Sequence, residues 1–247
     1  MNALQPIPLQ AIGGARGRIA GSAIRTPLLK LDQPGVDRSA PGGIWLKLEC
    51  LQPIGSFKIR GAANAIALAD PAELEGGVYT ASAGNMAQGV AFAARQRGLP
   101  CRVIVPDSAP AAKCDAVEAL GGVLVPVSYD EWWTTLTEHG HPDESGFFVH
   151  PVSDPAVIAG NGTVGLEIME ELPDVSAVVA PFGGGGLSTG IACALRGALE
   201  RSGRDRHDVP VFASEVDTAA PLSGSLAAGT PVSVAVSYTH LRAHETR

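Results

Sequence analysis

Lysine is scarce in this chain: Lys30, Lys47, Lys58 and Lys113 are the only four in 247 residues. Aromatic residues make up just 5%, so alanine, valine and leucine must do most of the packing. Positive charge is outweighed, with a net charge of −7 and a pI near 5.3. That balance excludes a nucleic-acid partner, which needs a basic face. No apolar run approaches the roughly 20 residues of a membrane span. The first ten residues lack the basic start and apolar centre of a signal peptide. Cys50, Cys101, Cys114 and Cys193 form no Cys-x-x-Cys pair. They read as free buried thiols in a reducing cytoplasm. The histidines form no ligand cluster; His139 and His141 sit beside Pro142 in a loop, which argues against structural zinc.

What the chain does have is 45% apolar and 17% charged residues, enough to bury a sizeable core in one large or two modest domains. After a weak helix over 9–22 come short strands at 27–31 and 44–49, split by a Pro/Gly loop over 34–43. A helix follows from Phe57 through Leu68. Then strands at 78–80, 101–105, 123–127, 147–149, 177–181 and 209–215 alternate with helices at 86–97, 109–120, 130–138, 157–172 and 188–201. Short apolar runs alternating with helices predict parallel sheets covered on both faces, with ligands held in loops after the strands' carboxyl ends. The Pro/Gly/Asp-rich stretches 139–146 and 150–155 are the candidate domain junctions.

Four stretches can carry chemistry. Lys58 lies between Phe57 and Ile59 in Gly55-Ser56-Phe57-Lys58-Ile59-Arg60-Gly61. An amine held against apolar walls at a helix start, with Ser56 as cap, loses hydration and favours its neutral, nucleophilic form. The alternative is a lysine whose stem packs and whose head stays in water. Ser82-Ala83-Gly84-Asn85-Met86 offers backbone N–H groups at a helix start, suited to a carboxylate, or is simply a capped turn. Gly183-Gly184-Gly185-Gly186, between a strand and a helix, makes a phosphate cup. It has neither the Gly-Lys-Ser/Thr of a Walker loop nor the third glycine of a dinucleotide fingerprint. Glu215 and Asp217 can hold a cation or an amine, or be solvated.

A desolvated lysine with a phosphate cup and no nucleotide signature points to a phosphorylated aldehyde. The chain resembles the pyridoxal-phosphate enzymes of the tryptophan-synthase-β fold, in the threonine/serine dehydratase and serine racemase branch. The matching pieces are Thr26-Pro27-Leu28, Leu46-Lys47-Leu48-Glu49, 55–61, 82–90, Val105-Pro106, Lys113, Gly162-Thr163 with Glu167, and 183–187. They fall in family order over about 20–235. The resemblance implies a Schiff-base lysine at Lys58, Phe57 against the pyridine ring, and Asn85 on its phenolic oxygen. It implies phosphate contacts at Gly183, Gly184, Gly185, Gly186 and Leu187, and a substrate carboxylate on Ser82, Ala83, Gly84, Asn85 and Met86. It also implies two doubly wound α/β domains with pyridoxal 5′-phosphate between them: 80–150 the small mobile one, 1–79 and 151–235 the large one. The substrate is then a small amino acid, and the full-length protein a homodimer or homotetramer.

Two residues depart from the pattern. Met86 stands where the family usually has histidine, and Ala83 where racemases of this branch place serine. Glu215 matches one acidic residue of a divalent-cation site found in some relatives, but the second falls near Ala220 or Pro221, so no metal is expected. Trp132 and Trp133 read as core or interface packing. The expected activity is an ammonia-lyase on a β-hydroxy amino acid. A racemase or β-replacement synthase of the same fold, and a non-catalytic binder of cofactor or amino acid, are the alternatives. From 236 to 247 the composition changes and reads as a translated library adapter; a C-terminally truncated gene product is expected to expose apolar surface.

Overall fold

The computed structural model describes residues 5–32, 42–205, 209–217, 219–230 and 232. Most of the loop expected at 34–43 and the whole stretch 236–247 lie outside the described residues.

Helix α1 (Leu9–Arg18) is followed by an antiparallel pair, β1 (Leu28–Lys30) and β2 (Trp45–Lys47), and by a single 3-10 turn, Glu49–Leu51. Helix α2 (Lys58–Leu68) carries Lys58 as its first residue, and eight of its residues, from Ile59 to Ile66, are buried. Ser56 does not hold the cap position expected of it. Phe57 does, and the Ser56 hydroxyl instead accepts the Lys58 N–H at 3.3 Å.

The expected alternation then appears: β3 (Val78–Ala81), α3 (Asn85–Gln96), β4 (Cys101–Pro106), α4 (Ala111–Ala119), β5 (Val123–Val127), α5 (Tyr129–Thr137) and β6 (Phe147–Phe148). These strands form one parallel sheet in the order β5-β4-β3-β6. Side chains alternate across it. Val78, Cys101, Val103 and Val105 pack on α3 and α4. Tyr79, Ala81 and Ile104 meet α5 through Trp132 and Leu136. Trp132 thus packs against the sheet, while Trp133 is 53% exposed. The sheet is doubly wound: it grows from β3 through β4 to β5 and then returns to the other side of β3 for β6, with α3 and α4 on one face and α5 on the other.

Helix α6 (Pro155–Glu171) starts where Asp154 accepts the N–H groups of Ala156 and Val157 and proline occupies the first turn. It lies between α2 and α7 (Gly186–Arg201). Glycines allow the close crossing: a Cβ on Gly61 would stand 2.7 Å from Val157, and one on Gly190 would stand 2.7 Å from the Gly162 nitrogen. The last sheet pairs β7 (Val178–Pro181) with β8 (Val211–Ser214) in parallel, and α7 covers one face of it. On the other face Val179 and Phe212, cross-strand partners, are 69% and 56% exposed. Covering on both faces, expected for every strand, therefore holds for the four-stranded sheet and not for this pair among the described residues.

A short helix that the sequence pattern did not announce, α8 (Pro221–Ala228), closes the described chain. Glu215 accepts the N–H groups of Leu222 and Ser223, both at 2.9 Å. This side chain therefore caps α8 and needs no cation to explain it. The thiols also differ from expectation. Cys101 is buried and its pKa is pushed up to about 12 by burial, but Cys50, on the 3-10 turn, is exposed.

Candidate active site

Lys58 begins α2 with its amine almost out of water. Burial pushes its pKa down from 10.5 to about 8. Nζ donates to the Pro151 carbonyl at 2.8 Å and lies 5.5 Å from the centre of the Phe57 ring. The helix behind it is held rigidly. Arg60, 1% exposed, makes a double fork: Nε and Nη2 to Glu49 at 2.8 Å each, Nη1 and Nη2 to Glu167 at 2.6 and 3.0 Å. Lys47 joins Glu167 at 2.8 Å, and Thr26 donates to Glu49 at 2.6 Å. Burial lowers the Arg60 pKa, and the Glu49 and Glu167 carboxylates more than restore it. Thr26, Lys47, Glu49, Arg60, Thr163 and Glu167 are dispersed over four of the motif pieces. In the fold they form one ion network two residues from Lys58.

Three strand-end loops meet this helix start. The Ser82–Met86 loop leaves β3 and enters α3, which crosses α2 so closely that a Cβ on Gly89 would stand 3.3 Å from the Lys58 carbonyl. Ser82 Oγ accepts the Gly84 N–H at 3.2 Å, and among the described residues Asn85 makes no side-chain hydrogen bond. Ala83 is half-buried. Met86 is 2% exposed and its side chain belongs to the main core.

The second loop leaves β6. His150 stacks on His139 at 4.3 Å, and its Nδ1 accepts the N–H groups of Val152 and Ser153 at 3.1 and 2.9 Å. Burial, then the neighbouring His139, holds its pKa below the usual histidine value. The Pro151 carbonyl accepts the Lys58 hydrogen bond, and Val152 lies against the glycine loop. The sequence reading passed over this segment as a domain junction. Its position at a strand's carboxyl end was the available signal.

The third loop is the glycine run between β7 and α7. A Cβ on Gly184 would overlap the Val152 side chain, and one on Gly186 would stand 2.9 Å from the Val152 carbonyl. Gly185, with φ +84°, adopts the left-handed conformation that favours glycine. Gly183 and Gly184 are exposed, Gly186 is buried, and Leu187 packs on the β7–β8 core. The first amides of α7 have no partner within the helix and are suited to an anion. A separate cleft of about 540 Å³ lies between α1, α6 and α7, lined by Leu9, Arg16, Leu166 and Arg201 among others, and none of the residues above line it. Among the described residues no group of three or more histidine, cysteine or acidic side chains is placed to hold a metal.

A largely desolvated amine with a pKa near 8, joined through Pro151 and Val152 to a side-chain-free anion cup, defines a class: proteins that hold a phosphorylated carbonyl compound by its aldehyde at one end and its phosphate at the other. The chain belongs to the pyridoxal-phosphate dependent enzyme family, whose profile matches residues 19–246. It is 48% identical over 157 residues to an L-threonine ammonia-lyase of Thermotoga maritima, covering 63% of this chain and 39% of that protein. It is 37% identical over 190 residues to a serine racemase of Oryza sativa subsp. indica, covering 76% and 55%. Among solved structures it superposes on maize serine racemase with a TM-score of 0.82 and 31% identity, over 93% of this chain and 68% of that one. The chain thus spans about half the length of the curated relatives it matches.

Proposed function

We propose that this chain carries the core of a pyridoxal-phosphate dependent ammonia-lyase, or dehydratase, that converts a β-hydroxy amino acid such as threonine or serine to a 2-oxo acid and ammonia in the cytoplasm. The observation that carries it is the Lys58 amine. It is buried, lowered to about 8, and tied through Pro151 to the segment that packs on the glycine loop. The residues fit the group: the Cβ-free cup takes a phosphate and the desolvated amine an aldehyde. Phe57, beside the amine, supplies an apolar wall for the ring. When bound, the cofactor supplies the aldehyde and an electron sink for the substrate's α-carbon.

The chain's own residues do the rest. Lys58, its amine half neutral at about pH 8, would take the α-proton of the substrate onto Nζ. The loop of Ser82, Ala83, Gly84, Asn85 and Met86 would hold the substrate carboxylate at the start of α3 through the N–H groups of Ala83, Asn85 and Met86, since the Ser82 N–H is given to the Ile104 carbonyl and the Gly84 N–H to Ser82 Oγ. The Asn85 amide, uncommitted within the described residues, is free to bond the ring's phenolic oxygen. Gly183, Gly184, Gly185 and Gly186, with Leu187, hold the phosphate. Loss of the β-hydroxyl as water, and hydrolysis of the resulting enamine by a second water, would give the oxo acid and ammonia. The curated relatives named as threonine ammonia-lyases support this reading.

A racemase is the second reading, favoured by relatives of that name. It needs a proton donor opposite Lys58, and the alanine at position 83 has none to give. The domain division proposed is 80–150 for the small unit and 1–79 with 151–235 for the large one.

Two measurements test the proposal together. Borohydride reduction of the cofactor-loaded chain, followed by peptide mapping, is expected to place the cofactor on Lys58 and to find none there in Lys58→Ala. Assays of serine, threonine and hydroxyaspartate are expected to release oxo acid and ammonia in equal amounts. Label on Lys30, Lys47 or Lys113, or inversion of serine as fast as deamination, would reject it.

A further inference from the structure

Buried polar side chains near Lys58 are almost all matched. Asn64, fully buried, accepts from Arg18 at 2.7 Å and donates to the Ala156 carbonyl at 2.7 Å. Thr163 donates to the Gly160 carbonyl at 2.7 Å and accepts from Arg60 at 3.0 Å. Asn161 differs. It is 0% exposed, and neither its Oδ1 nor its Nδ2 has a hydrogen-bond partner. Trp132 Nε1 is the one other such side-chain atom among the described residues, and it belongs to the sheet face far along the chain from this junction. Leaving both ends of a buried amide unpaired costs folding stability, so native interiors do so rarely and for a reason.

The surroundings of Asn161 supply the reason. It sits on α6 where α2 and α7 converge. Its Oδ1 stands 2.9 Å from where a Cβ on Gly61 would be, one helical turn after Lys58. Its Nδ2 stands 3.6 Å from where a Cβ on Gly186 would be, at the first residue of α7. The donor end of the amide therefore lies next to the last glycine of the anion cup, with the Val152 carbonyl, 2.9 Å from the same point, as the other neighbour there.

We propose that Asn161 is a further phosphate-side binding residue of this chain. Its Nδ2 joins the α7 amides in holding a phosphate monoester, from the inner side of the glycine loop. The inference rests on the reading of that loop as the seat of the cofactor's phosphate. An amide is neutral with two N–H donors. It adds a hydrogen bond to the dianion without burying a compensating charge, and it stays unpaired until the ligand arrives.

The test compares the cofactor-free chain with its Asn161→Leu and Asn161→Asp variants. Pyridoxal 5′-phosphate and pyridoxal, which lacks the phosphate, are titrated by absorbance. The thermal midpoint of each cofactor-free protein is measured alongside. In Asn161→Leu the affinity for pyridoxal 5′-phosphate is expected to fall roughly 10- to 100-fold, the effect of one hydrogen bond to a charged group. Pyridoxal affinity is expected to stay the same, and the midpoint to hold or rise because two unpaired atoms are gone. Asn161→Asp, of the same shape, is expected to lose more, since a carboxylate repels the phosphate; it also serves if the leucine variant does not fold. Equal affinities in wild type and variants, or equal losses for both ligands, would overturn the inference. So would a midpoint that falls while phosphate-ligand affinity is kept, which marks a purely structural amide. Wild-type protein that binds both ligands equally well would sink the phosphate-seat reading itself and take the inference with it.

Discussion

In the folded chain Lys58 gives up its proton near pH 8 rather than at its ordinary 10.5, because burial removes water from the ammonium. The folded state thus releases this proton before the unfolded state does. Its penalty is fully present below about pH 8 and is relieved as pH rises from 8 to 10.5. A shift of that size corresponds to roughly 3 kcal/mol. Two outcomes follow for the cofactor-free chain. Urea unfolding is expected to show stability from this group rising across that interval in wild type and not in Lys58→Met. The rate of pyridoxal 5′-phosphate capture is expected to climb about tenfold per pH unit below 8 and then level; a midpoint near 10.5 would show that the amine is hydrated. Ala83 sets the second residue-scale expectation. Ala83→Ser supplies a hydroxyl proton at a half-buried position of the loop proposed to hold the substrate carboxylate. Serine racemisation measured by chiral chromatography is expected to rise relative to elimination. No change would place residue 83 away from the α-carbon.

Helix α2 is pinned by Arg60 rather than by its cap. Five hydrogen bonds from one guanidinium to Glu49, Glu167 and Thr163 tie the β2 end, α2 and α6 together. Removing the cation leaves the half-buried Glu49 carboxylate without a cation and the buried Glu167 carboxylate with Lys47 alone, so Arg60→Met is expected to cost about 3–5 kcal/mol by urea unfolding. Arg60→Lys is expected to recover little, because an ammonium cannot reproduce a planar fork on two carboxylates. A loss below about 1 kcal/mol would mean that water or backbone already satisfies the carboxylates. The elements themselves were mostly legible. Strand and helix alternation from 78 to 201 follows from apolar runs bounded by Gly, Pro and Asp, and it matches the observed order. Helix α8 was not legible. Its sequence, Pro-Leu-Ser-Gly-Ser-Leu-Ala-Ala, holds a glycine and two serines and has weak helical preference; the Glu215 carboxylate at its start stabilises it from outside.

Over the whole molecule, the described residues leave an apolar face of the β7–β8 pair open. Val179 and Phe212 lie side by side on β7 and β8, at 69% and 56% exposure, and Leu226 of α8 is 73% exposed. Parallel strands are ordinarily covered on both faces, and unpartnered apolar patches promote association. The 247-residue chain is expected to bind a hydrophobic dye strongly and to self-associate in light scattering. Phe212→Lys is expected to reduce both, since it puts a charge in the centre of that face. Dye binding unchanged by this substitution would locate the sticky surface elsewhere, for instance at Leu29 and Leu46 on β1 and β2, which are 52% and 42% exposed.

The amino-acid sequence by itself determined the alternating α/β order, the solitary lysine between Phe57 and Ile59, and the glycine run after a strand. Each is a local pattern, written in neighbours along the chain. Tertiary structure decided what those patterns meet. Arg60 finds Glu167 across 107 residues, and Lys58 finds Pro151 across 93. Neither pairing leaves a periodicity or spacing to read, because it depends on how α2 and α6 cross. The same crossing buries Asn161 beside Gly186 without a partner. Burial, not residue type, also made Cys101 inert and left Cys50 exposed. An amine's or a thiol's protonation depends on the water around it, and only the packed chain fixes where water is excluded.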